Sequence, residues 1–101
     1  VNVHMMIDCS HANSSKQHER QMIVGADVAK QIAGGDMRIS GVMIESHLVA
    51  GRQDVVDGQE LTYGQSITDA CIDWDSSVQL LEELASAVRK RRESKIDTAN
   101  D

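Results

Sequence analysis

Aromatic side chains are nearly absent from this chain: Tyr63 and Trp74 are the only two among 101 residues, and there is no phenylalanine. Grooves for single-stranded nucleic acid stack bases on aromatic faces, and that platform is missing here. Positive charge is also short, with 10 Lys and Arg against 16 Asp and Glu for a net charge of −6, and an acidic chain repels a phosphate backbone. Together these deficits exclude nucleic-acid binding as the function. The one basic cluster, Arg89 to Arg92, is expected to close the C-terminal turn of a helix, where cations complement the dipole. No apolar run approaches the roughly 18 residues of a membrane span, and the N-terminus lacks the basic flank and small-residue cleavage site of a signal peptide. A soluble, cytoplasmic protein is expected. Two cysteines, Cys9 and Cys71, are too few for a disulfide framework, and both are expected to stay reduced.

What is present has the length of one small domain. The chain opens at Val1, without an initiator Met, directly into an apolar run, as expected of a piece of something longer. Val3 to Asp8 is short, apolar and followed at once by polar residues, the pattern of a strand buried on both faces. A helix follows: Ser14 and Gln17 have capping-box spacing, Met22, Ala26, Ala29 and Ala33 recur at helical intervals, and Gly34-Gly35 ends the pattern. Ile39 to Ile44 is a second apolar run, closed by Glu45. Residues 46 to 64 carry Gly51, Gly58 and Gly64 among charged residues, a connection too long to be a simple turn and of the kind that carries function or is disordered. Ser66 to Ile72 reads as a third strand. A final helix is expected from a second capping box at Ser76 and Gln79, with an apolar stripe of Val78, Leu81, Leu84, Ala85 and Val88 and a basic end at Arg92. Residues 1–92 thus form the folded part, and 93–101 a polar, frayed tail.

Strand, helix, strand, long loop, strand, helix is the order of an α/β protein with a parallel sheet. A barrel of eight such units needs about 250 residues, about 30 per unit, so this chain supplies about three. Each expected strand delivers a possible metal ligand at or just past its C-terminal end: His11, Glu45 and Asp69, spaced 34 and 24 residues apart. In a parallel barrel those ends converge on one rim, where the active site lies. One imidazole and two carboxylates with open positions suit a divalent cation such as Mn²⁺, Fe²⁺ or Zn²⁺. Cys9 and His47, each two residues from a candidate, are rivals that spacing alone leaves open. A small zinc module on Cys9-x-His11 would need a second Cys/His pair at recognised spacing, which the sequence lacks.

Three segments, DCSHANSSK, GVMIESHLVAG and YGQSITDACIDW, resemble the final part of the type I 3-deoxy-D-arabino-heptulosonate 7-phosphate (DAHP) synthases, over about residues 3–92. The resemblance implies a (β/α)8 TIM barrel, of which these would be the C-terminal three strand-helix units. It also implies an aldol-like condensation of phosphoenolpyruvate with erythrose 4-phosphate at the head of the shikimate pathway, with release of phosphate. His11, Glu45 and Asp69 would be three of the divalent-metal ligands, the metal being Mn²⁺, Fe²⁺, Zn²⁺ or Co²⁺, and Asp69 would also reach the hydroxyl or aldehyde region of the sugar phosphate. The fourth ligand in such proteins is a cysteine on an early strand; neither Cys9 nor Cys71 corresponds to it, and Cys9 is expected to pack behind the site. Ala12 stands where the resemblance leads us to expect Gly. The Arg and Lys clamps for substrate belong to earlier strands, so the isolated chain is expected to be inactive, and the intact protein a homo-oligomer. Met5, Ile7, Val42 and Ile44 are expected on the inner face of the closed barrel, which would leave the isolated chain prone to self-association. The competing expectation is a truncated, non-catalytic interaction or assembly module.

Overall fold

The computed structural model describes residues 3–11 and 17–100, the last six of them by backbone alone. Ser14 and Ala12 lie outside these residues. Four elements follow one another: β1 (Met5–Asp8), α1 (His18–Ala33), β2 (Ile39–Met43) and α2 (Trp74–Asn100). The two strands pair in parallel, Ile7 opposite Val42 and Asp8 opposite Met43, with an irregularity between Met5 and Met6. The fold is therefore small and α/β, with a parallel two-stranded sheet covered by two helices.

Helix α1 forms because Gln21, Gly25, Val28, Ala29 and Ile32 recur on one face and are all buried. Gln17 occupies its N-cap without a side-chain hydrogen bond. Its C-terminal end is a Schellman turn: the Asp36 amide donates to the Gln31 carbonyl, the Gly35 amide donates to the Ile32 carbonyl, and Gly35 adopts φ +103°. Gly25 has a packing role, since a Cβ there would stand 2.5 Å from Leu80 Cδ1, and Leu80 of α2 is fully buried. The core joins Val28, Ala29 and Ile32 of α1 to Ile39 of β2, Ile72, and Leu80, Leu84 and Ala87 of α2.

Several expectations are corrected by this packing. The third strand, Ser66 to Ile72, is absent as a continuous element; isolated bridges Ser46–Ile72, Gly51–Cys71 and Arg52–Ser66 replace it. The Ile72 amide still donates to the Glu45 carbonyl, and the His47 amide to the Ile72 carbonyl, so the segment lies beside the end of β2 in parallel sense. Helix α2 starts before Ser76: Asp73 Oδ1 accepts the Ser76 amide at 2.8 Å, an N-cap bond that an Asp makes better than the expected capping box. Its buried face is Ser77, Leu80, Leu84 and Ala87, while Leu81 and Val78 are exposed, because Leu80 is the side chain that fits over Gly25. The helix continues past Arg92 to Asn100. Arg91 of the basic cluster does not finish a helix but donates to the carbonyls of Asp36 and Ile39, tying α2 to the start of β2. Met5, Ile7, Val42 and Ile44 face the helices rather than the opposite side, which carries the exposed Met6 beside Gly41.

The long connection is braced from within. Gln53 Nε2 donates to the carbonyls of Thr62 and Gln65, its Oε1 accepts the Thr62 amide, and Gln65 Nε2 donates to the Ala50 carbonyl. Among the described residues, no helix is long and apolar enough to cross a membrane.

Candidate metal centre

The end of β1 is built as a turn around one carboxylate. The Ser10 amide and hydroxyl both donate to Asp8 Oδ1, at 2.8 and 2.6 Å, and His11 Nδ1 lies 2.9 Å from Asp8 Oδ2. The backbone of His11 takes φ +50°, unusual for a residue with a Cβ. Cys9, between them, is fully buried, and its amide continues the sheet ladder to the Met43 carbonyl.

Glu45 comes from the turn after β2, and a buried residue of α1 holds it there. Gln21 accepts the Glu45 amide at 2.9 Å and donates to the Glu45 carbonyl at 3.0 Å, so both backbone groups are clamped by one side chain. Asp69 is positioned by the braced loop: Arg52 Nε donates to the Thr68 carbonyl and the Thr68 amide donates to Ser66 Oγ.

These three segments deliver their polar atoms to one point. His11 Nε2 stands 2.9 Å from Glu45 Oε1 and 3.1 Å from Asp69 Oδ2, and the three candidate ligand atoms lie within 4.8 Å of one another. They line a pocket of about 170 Å³ that Ser10, Arg52 and Thr68 also border. The hydrogen bonds that Asp8 first, and then Asp69, accept from the ring raise the His11 pKa above its usual value, against an opposing effect of burial. The Ser10 and His11 bonds lower that of Asp8. Burial, then the charge of Asp8, pushes the Cys9 thiol up.

The donor set fits a divalent cation. At ligand distances of about 2.1 Å, adjacent donors on such an ion stand about 3 Å apart, close to the spacing of Nε2 from the two carboxylate oxygens. The rivals are placed elsewhere: Cys9 is buried and outside the group, and His47 Nδ1 accepts the Leu48 amide. Sequence reasoning missed Asp8 and Gln21. The first had a signal, a carboxylate three residues before a histidine; the second had a fainter one, a polar residue on the apolar face of α1.

Comparison with known proteins decides the family. The sequence profile of the DAHP synthetase I family matches residues 1–82. The chain belongs to that family. It is 62% identical to a phospho-2-dehydro-3-deoxyheptonate aldolase of Haemophilus influenzae over 91 residues, which are 90% of this chain and 25% of that protein. It is 60% identical to the Phe-sensitive phospho-2-dehydro-3-deoxyheptonate aldolase of Escherichia coli K12, over 87% of this chain and 25% of the relative. The solved structure of a phospho-2-dehydro-3-deoxyheptonate aldolase from Francisella tularensis superimposes with a TM-score of 0.81 at 53% identity, covering 87% of this chain and 25% of that one. The chain thus spans about a quarter of the length of these family members.

Proposed function

We propose that this chain is the C-terminal part of a metal-dependent DAHP synthase and supplies the last three strand-helix units of a (β/α)8 barrel. In this reading the intact protein joins phosphoenolpyruvate to erythrose 4-phosphate: a carbon–carbon bond forms at the sugar aldehyde, one water is consumed, and phosphate leaves. The observation that carries it is the meeting of His11 Nε2, Glu45 Oε1 and Asp69 Oδ2, delivered by three separate segments of a chain in this family.

The roles divide by chemistry. His11 presents one neutral nitrogen donor, while Glu45 and Asp69 add two negative charges, so the set favours a dication over a monovalent ion. When bound, the metal supplies Lewis-acid polarisation of the aldehyde. Asp69, which is the most exposed of the three side chains, is placed to accept a hydrogen bond from a sugar hydroxyl as well. Gln21 and the Arg52-braced loop hold Glu45 and Asp69 so that little ordering remains for substrate binding to impose. The fourth ligand, a cysteine, and the cationic substrate clamps come from sequence upstream of Val1.

Titration of the intact, metal-stripped protein with Mn²⁺, alongside assay of the condensation, tests this reading. His11→Ala should lose metal and activity together, Glu45→Gln should weaken binding with activity partly restored by excess metal, and Cys9→Ser should keep its metal. Full metal content and normal turnover in His11→Ala would overturn the assignment.

A further inference from the structure

The long connection contains a second glutamine clamp of the kind that Gln21 applies to Glu45. Gln53 Oε1 accepts the Thr62 amide at 2.8 Å and Nε2 donates to the Thr62 carbonyl at 2.8 Å, so one side chain again holds both backbone groups of one residue. Chemistry fixes the orientation of the side chain, because an N–H needs the amide oxygen and a carbonyl needs the NH₂. Nε2 also donates to the Gln65 carbonyl at 3.0 Å, and the Gln53 backbone amide donates to the Ser66 carbonyl at 2.8 Å. With Arg52 Nε on the Thr68 carbonyl, two consecutive residues grip the carbonyls of Gln65, Ser66 and Thr68, just before Asp69. Residues 66–72 do not form a continuous strand, so this grip does for Asp69 what a sheet ladder does for His11. Arg52 borders the pocket that His11, Glu45 and Asp69 line; Gln53 is not among its lining residues and acts from outside it.

We propose that Gln53 is a positioning residue for Asp69, acting through residues 62–68, so that closure of the loop neck at Thr62 is coupled to cation affinity at the site; this rests on the metal-site reading given above. Opening the neck breaks the Gln65 bond together with the two Thr62 bonds, because all three belong to one side chain. The segment before Asp69 then loses one of its three gripped carbonyls, and Asp69 Oδ2 is no longer held 3.1 Å from His11 Nε2. Such coupling is reciprocal: a cation that binds more tightly when the neck is closed must also hold the neck closed. Beyond the neck, residues 55–61 are exposed throughout, and the coupling does not depend on their side chains.

Gln53→Met tests this without changing charge, since Met keeps the length of Gln and makes none of its three side-chain bonds. In the intact protein Mn²⁺ affinity should fall roughly 3- to 30-fold. Val56→Ser, at the exposed tip, should keep the parental affinity. Hydrogen–deuterium exchange of metal-free protein, read by mass spectrometry, needs neither metal nor activity. In Gln53→Met exchange should quicken around Thr62 and also over residues 66–70, where the Thr68 amide donates to Ser66 Oγ. The Cys71 amide, which donates to the Gly51 carbonyl, should stay protected and shows that the variant is folded. In the parent, saturating Mn²⁺ should slow exchange around Thr62 by about the factor that the variant loses in affinity. A brace confined to the loop predicts faster exchange around Thr62 alone, or parental Mn²⁺ affinity in the variant, and either result overturns the proposal. Should Gln53→Met also expose Cys71, the parent decides by itself: bound Mn²⁺ that leaves exchange around Thr62 unchanged overturns the coupling, and slowing upholds it. A parent that binds no Mn²⁺ overturns the metal reading alone, and faster exchange over residues 66–70 in the variant still upholds Gln53 as the residue that positions Asp69.

Discussion

Replacing Gln21 by Met isolates the clamp on Glu45 from the chemistry of Glu45 itself. Met has nearly the same length and fills the same space on the buried face of α1, but it neither accepts from the Glu45 amide nor donates to the Glu45 carbonyl. The Glu45 amide loses its partner, costing about 1–3 kcal/mol where water cannot reach it, and the Glu45 carbonyl, which keeps the Ile72 amide, loses one of its two donors, about 1 kcal/mol more. Two effects reduce the sum. Glu45 is only half-buried, so water satisfies part of the deficit, and the thioether gains roughly 1 kcal/mol from burial that the amide did not have. A net destabilisation of about 2 kcal/mol is expected, read as a lower urea midpoint of the intact, metal-free protein with unchanged slope. The functional consequence follows from geometry: a Glu45 backbone released from α1 no longer holds Oε1 2.9 Å from His11 Nε2, so Mn²⁺ affinity should fall although no proposed ligand has been altered. Gln21→Glu should be more damaging than Met, because an ionised carboxylate would be buried against the Glu45 carbonyl. A Met variant within about 0.5 kcal/mol of the parent and with parental metal affinity would refute the clamp.

Three further outcomes are expected. Gly25→Ala should destabilise by about 1–2 kcal/mol despite Ala's better helix propensity, since its Cβ would meet Leu80 Cδ1 at 2.5 Å; denaturant titration with the Gly25→Ala, Leu80→Ala double variant should show favourable coupling. The Arg38 guanidinium, bonded to both oxygens of Asp36, holds that carboxyl at about 2, below its ordinary 3.8. A depressed acid contributes stability that is fully present above pH 3.8 and is lost as pH falls through about 2, so Asp36→Asn should flatten the acid limb of the stability profile in that window and leave the neutral region parallel. The 101-residue chain alone should catalyse no condensation at any added metal and should elute larger than 11.1 kDa in gel filtration, because Met6 and the open edges of a two-stranded sheet are uncovered; a monomer with turnover would contradict this.

Local chemistry made much of this molecule legible in one dimension. The apolar runs at β1 and β2 and the Gly34-Gly35 stop of α1 follow from side-chain pattern and from the freedom of glycine to take positive φ, and both are properties of neighbours in the chain. His11 and Glu45 were also visible, because a polar residue just past an apolar run is a local signal and parallel strands send such residues to one end; Asp69 joins them from a loop that is not a strand.

Choices among near-equal local patterns belonged to the tertiary structure. Leu80 and Leu81 are equally apolar, but only one can enter the space left by Gly25, so the buried face of α2 is set by a residue of α1 far away in the chain. The segment 66–72 has strand-forming residues, yet its few backbone bonds to Glu45, His47 and Gly51 leave it as bridges. Cys9 and His47 had the right chemistry for the site, and neither stands in the group that His11, Glu45 and Asp69 form. The sequence by itself therefore determined which side chains stand at the ends of β1 and β2, and that a helix follows β1 while a long connection follows β2. Only the tertiary structure decided that Asp8 backs His11, that Gln21 grips Glu45, and that Nε2 points between two carboxylates, because those bonds join atoms whose separation depends on how the helices and the long loop pack against the sheet.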